Sequence, residues 1–121
     1  MARYLIMFDG SAMNHIPEED MPAVGKAAHA VLEAAVDAGA WVFGAGMEHQ
    51  RASVVATDGT VTDGSYPEAV GGFAILDLPS RQEALGWAAR FAVACRCPQE
   101  VREIMPDPEQ EAALRQAGRR W

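Results

Sequence analysis

Two segments of this chain are apolar on both sides of an extended backbone, and nothing else constrains its fold as much. In residues 2–8, Tyr4, Ile6 and Phe8 point one way and Leu5 and Met7 the other. In residues 70–78, Phe73 and Ile75 share one side while Ala74, Leu76 and Leu78 share the opposite one. A strand of this kind is stable only where both faces are covered. Each segment is therefore expected inside a sheet, with something packed above and below it.

One cover is legible nearby. Met21, Val24, Ala28, Val31, Leu32 and Ala35 keep the spacing of an amphipathic helix. Asp20 is its expected cap, Pro22 lies in its first turn and Gly39 stops it. A second helix opens at Ser80-Arg81-Gln82-Glu83, a capping box, and carries Ala84, Ala88, Phe91, Ala92 and Cys95 until Cys97-Pro98 breaks the pattern. Between the helices, Ala40 to Met47 reads as a strand with glycines at 44 and 46, where a bulge or close approach is expected. A hairpin follows, residues 52–56 and 60–62 around the turn Asp58-Gly59. Val101 to Met105 reads as the last strand. Asp107-Pro108 then caps a C-terminal helix bearing Leu114, Ala117 and Trp121.

The order is β-α-β-hairpin-β-α-β. It predicts an α+β domain over residues 1–121, with a core at 2–106 and a helical extension at 107–121. The plan is a ferredoxin-like split β-α-β: an antiparallel sheet with both helices on one face. The opposite faces of the two doubly apolar strands would then meet water, and a continuous apolar face usually marks an interface. A homodimer with two sheets face to face, a dimeric α+β barrel, is the expectation.

Charge and motif content narrow the function by exclusion. The net charge is −7, with no basic run except Arg119-Arg120, so a nucleic-acid partner is not expected. No 18-residue apolar run exists, and Met1 to Asp9 reads as a strand, not a secretion signal, so no membrane span and a cytoplasmic location are expected. Cys95 and Cys97 form Cys-x-Cys and read as reduced structural thiols, with redox work a weaker alternative. His15, His29 and His49 show no paired spacing with them, so no metal is expected. Neither a dinucleotide fingerprint, nor a phosphate loop, nor a nucleophile elbow is present, and no cofactor is expected.

The candidate chemistry collects at strand ends. Asp63, before Gly64, either caps its turn through backbone N–H groups or serves as a general base. His29 lies at the edge of the first helix's stripe, and the small Gly25 one turn earlier leaves its imidazole room to reach a cleft. It is either solvated or an acid–base group whose tautomer Asp63 could set. Tyr66, Glu48 and His15 are candidate ligand contacts, with loop packing or plain surface as the competing reading of each. Two functions remain: cofactor-free acid–base chemistry of isomerase or lyase type on a small molecule in a homodimer cleft, or a non-catalytic ligand-binding or regulatory module.

Several segments carry a resemblance. They are Tyr4-Leu5-Ile6-Met7, Ala38-Gly39-Ala40-Trp41-Val42, Gly44-Ala45-Gly46-Met47, Thr62-Asp63-Gly64, Tyr66-Pro67-Glu68-Ala69 and Gly71-Gly72-Phe73. Glu83 to Ala89 and Val101-Arg102-Glu103-Ile104 complete it. Together they resemble the DGPF/YCII-related family over roughly residues 2–106, with Ser65 where that pattern has proline. The resemblance implies a dimeric ferredoxin-like barrel and a His–Asp pair as its candidate active site.

Overall fold

The computed structural model describes residues 1–48, 52–64 and 69–118. Strand β1 (Ala2–Asp9) leads through a turn-rich loop and a short 3-10 turn (Glu18–Asp20) into helix α1 (Met21–Asp37). Strands β2 (Trp41–Gly46), β3 (Ser53–Val55), β4 (Val61–Asp63) and β5 (Val70–Leu78) follow. Helix α2 (Arg81–Cys95), strand β6 (Glu100–Glu103) and helix α3 (Pro108–Gln116) complete the order. It is an α+β protein. None of its described helices is long and apolar enough to cross a membrane.

The main sheet is antiparallel in the order β2-β5-β1-β6, so the two doubly apolar segments, β1 and β5, are its central strands. Their register pairs Tyr4 with Leu76 and Ile6 with Ala74, and these four residues, all buried, face the helices. Ala35 of α1 and Ala84, Ala88 and Phe91 of α2 close the core above them. On the reverse face Leu5 pairs with Ile75 and Met7 with Phe73. Those four are half-buried, and Phe43, whose ring lies 6.1 Å from that of Phe73, is 44% exposed. Strands β3 and β4 form a separate two-stranded sheet.

The helix ends show where local signals held and where tertiary contacts replaced them. Ser80 caps α2 as its sequence predicts, its hydroxyl accepting the Glu83 N–H at 3.2 Å. Asp107 likewise caps α3 by accepting from the Gln110 N–H at 3.1 Å. Asp20 does not cap α1. Its backbone is helical (φ −88°, ψ −14°), because the 3-10 turn runs straight into the helix and the N–H of Met21 already reaches Glu18 O. The Asp20 carboxylate is left to pair with Arg96 at 3.0 Å. Arg96, the C-cap of α2, is held in the left-handed region at φ 57°, a position that usually takes glycine. The ion pair thus ties the start of α1 to the end of α2.

Candidate functional site

Helix α1 buries Val24 near its start and Ala35 near its end. Along the same helix, Met21, Gly25, Ala28, His29 and Leu32 border a cleft of about 310 Å³ between α1 and the strands β2 and β5. Small residues hold it open from below: Gly44, Ala45 and Gly46 on β2 and Ala74 on β5 line it. Ile6, Phe8, Trp41 and Phe91 supply the apolar walls, with Met13 from the first loop.

The glycines are a packing requirement at Gly44, Gly71 and Gly72, where an added Cβ would lie under 3.0 Å from a neighbouring atom. A Cβ at Gly44 would lie 2.5 Å from the Phe73 carbonyl oxygen and 2.7 Å from the Trp41 ring, so the indole can lie along the strand only because residue 44 has no side chain. A Cβ at Gly72 would lie 2.6 Å from the ring of Phe8, which occupies that space instead. At Gly25 and Gly46 the situation is the reverse. A Cβ there would meet nothing within 4 Å, because both border the open space.

Three lining residues are polar or ionisable in part: His29, Gln99 and Cys95. Nδ1 of His29 lies 2.8 Å from the carbonyl oxygen of Gly25. A carbonyl only accepts, so Nδ1 carries the proton and Nε2 of the neutral ring is an acceptor. Gln99 donates from Nε2 to the Cys97 carbonyl at 3.3 Å and to Cys97 Sγ at 3.5 Å. Burial pushes the Cys95 thiol above its ordinary range, with Cys97 nearby adding to the effect, and burial raises Cys97 too. Both sulfurs therefore stay protonated near neutral pH, the opposite of what a reactive thiolate needs.

Of the described candidate site residues His15, His29, Glu48 and Asp63, only His29 lines this cleft. Asp63 lies at the end of the β3–β4 hairpin, and its carboxylate accepts the Ser53 hydroxyl across that hairpin at 3.2 Å. The hydrogen bonds of His29 and Asp63 thus go to different partners, and both residues are exposed in the single chain. The turn-capping carboxylate of this hairpin is Asp58, which accepts the Thr60 N–H at 2.9 Å. Glu48 is exposed just beyond β2, and His15 is exposed in the first loop. Tyr66 lies outside the described residues. No group of acidic, histidine and cysteine side chains suited to a metal ion occurs among the described residues.

Sequence reasoning missed Gln99, Cys95 and Trp41 as cleft residues. The glycines at 25, 44 and 46 were the available signal, since small residues on facing elements mark where packing can open. Gln99 carried no signal of its own. No protein-family model matches the chain, and no curated protein matches it.

Proposed function

We propose that this chain binds a small, largely apolar molecule in the cleft under α1, as one subunit of a homodimer built on the ferredoxin-like plan. The observation that carries the reading is the cleft itself: about 310 Å³, walled by aromatic and aliphatic side chains, with a few polar groups at its margin. That is the usual make-up of a small-molecule site, at the lower end of the roughly 300–1,000 Å³ such sites occupy. The strand order β2-β5-β1-β6 supports the ferredoxin-like plan. The apolar reverse face supports the dimer, and the DGPF/YCII resemblance supports both.

A thermal-shift screen of small apolar compounds tests the binding reading. A ligand at about a hundred times its Kd stabilises the fold by about 2.7 kcal/mol. The variant Gly25→Leu, which projects a side chain into the open space, is expected to lose that stabilisation. A screen with no stabilising compound, or an unchanged response in Gly25→Leu, overturns the proposal.

A second reading, cofactor-free proton transfer, is favoured by one geometric fact. The bond from Nδ1 to the Gly25 carbonyl fixes the tautomer that leaves Nε2 able to take a proton. This chemistry rests on His29, since the Asp63 carboxylate is engaged by Ser53. Exchange of an activated C–H of the bound molecule into heavy water, abolished in His29→Gln, is the expected signature. Equal exchange in the variant removes the catalytic reading and leaves the binding one.

A further inference from the structure

Apart from the weakly donating Cys95 thiol, the side-chain polarity of the cleft is one-sided. In the neutral ring Nε2 of His29 accepts, because Nδ1 is committed to Gly25 O. Gln99 turns its NH₂ to Cys97, so the other end of its amide, Oε1, can only accept. No Asp, Glu, Lys or Arg stands among the described lining residues. The start of α1, where exposed N–H groups would attract an anion, is instead preceded by Glu18, Glu19 and Asp20. The whole chain is acidic besides, at −7.

We infer that the ligand is a neutral molecule of one or two rings bearing a hydrogen-bond donor, a hydroxyl or N–H, and that the cleft discriminates against carboxylates of the same shape. The inference rests on the cleft reading above and names its ligand class. A donor group placed between His29 and Gln99 finds an acceptor, whereas a carboxylate meets lone pairs and no compensating cation. An uncompensated charge in such surroundings is costly, while one well-made hydrogen bond gives a modest gain.

Three probes on one frame separate the possibilities: 2-naphthol, naphthalene and 2-naphthoate, titrated calorimetrically at mildly alkaline pH. The expected order is 2-naphthol tighter than naphthalene by about three- to tenfold, with 2-naphthoate weaker than 2-naphthol by at least about tenfold. His29→Leu and Gln99→Leu are each expected to narrow the naphthol-to-naphthalene ratio, with circular dichroism checking that each variant is folded. Equal binding of naphthol and naphthalene overturns the donor inference and leaves the cleft reading standing. Tightest binding of 2-naphthoate overturns the polarity argument. Failure of all three probes to bind overturns this inference together with the cleft reading.

Discussion

The two faces of the central sheet come from the same residues in alternation, yet they end in different states. On β5, Leu76 is 0% exposed beneath the helices, whereas its neighbour Ile75 is half-buried on the reverse side. On β1, Ile6 is buried and Met7 is half-buried. Side-chain chemistry does not explain the contrast, since both faces are apolar. The difference is cover: α1 and α2 pack on one face only. Even the covered face is uneven, because α1 buries Val24 and Ala35 yet borders the cleft at Gly25, Ala28 and His29. A chain that builds two apolar faces and covers one incompletely keeps a cleft on that side and leaves the other half-buried in the single chain.

That contrast can be broken most directly by truncation. Leu76→Ala removes a fully buried side chain and is expected to cost about 2–5 kcal/mol in chemical denaturation, at any protein concentration. Ile75→Ala is expected to cost less in dilute solution and more as concentration rises, as the proposed homodimer requires. A loss for Ile75→Ala that ignores concentration would remove the proposed difference between the faces. A charge on the open face sharpens the same point. Phe73→Glu is expected to shift the protein from dimer to monomer in size-exclusion chromatography with light scattering; a monomeric parent chain would sink the dimer proposal.

Glycine substitutions give a smaller effect within the covered face. Gly44→Ala forces a Cβ against the Phe73 carbonyl and the Trp41 ring, and overpacking of this kind costs about 1–3 kcal/mol. Gly25→Ala meets open space, and the exchange of glycine for alanine inside a helix is expected to stabilise by up to about 1 kcal/mol. Equal outcomes at the two positions would mean that the cleft closes in solution.

The smallest effect is alkaline. Burial, and then the Glu103 carboxylate, raise the pKa of Tyr4 above its ordinary 10.0, and burial raises both cysteines above 9.0. A group that holds its proton more tightly in the folded chain stabilises the fold below its ordinary pKa and loses that contribution as pH climbs through the raised one. Melting temperature should therefore fall from about pH 9 upward. Tyr4→Phe, and separately Cys95→Ala with Cys97→Ala, should each flatten that fall. An alkaline limb unchanged in both variants would show that other groups set it.

Periodicity made most of the fold legible in the sequence. The alternation in β5 predicts its bounds and both faces, and Ser80 with Glu83 predicts the start of α2. Such signals are local, a few residues deciding how their own backbone is satisfied. The cap at Asp20 was misread because the 3-10 turn at Glu18–Asp20 runs straight into α1. The carboxylate it frees pairs with Arg96, 76 residues away, which no local pattern reports. The candidate site was legible only in part. Gly25 and His29 both line the cleft, and an absent side chain leaves room whatever lies opposite. The expected pairing of His29 with Asp63 joins a helix residue to a strand-end residue, and in the single chain Asp63 bonds to Ser53 across the β3–β4 hairpin instead.

The sequence alone determined the element order, the two-faced apolar character of β1 and β5, and the acidic charge that disfavours nucleic acid. These follow from near-neighbour chemistry: period-two and period-3.6 burial, caps, turns and summed charge. Tertiary structure alone decided how closely α1 sits on the sheet, which residues line the space beneath it, and which way His29 and Gln99 direct their protons. Those depend on the fit of Trp41 and Phe8 over glycines and on bonds to particular carbonyls, and close packing settles such contacts only once the whole chain is in place.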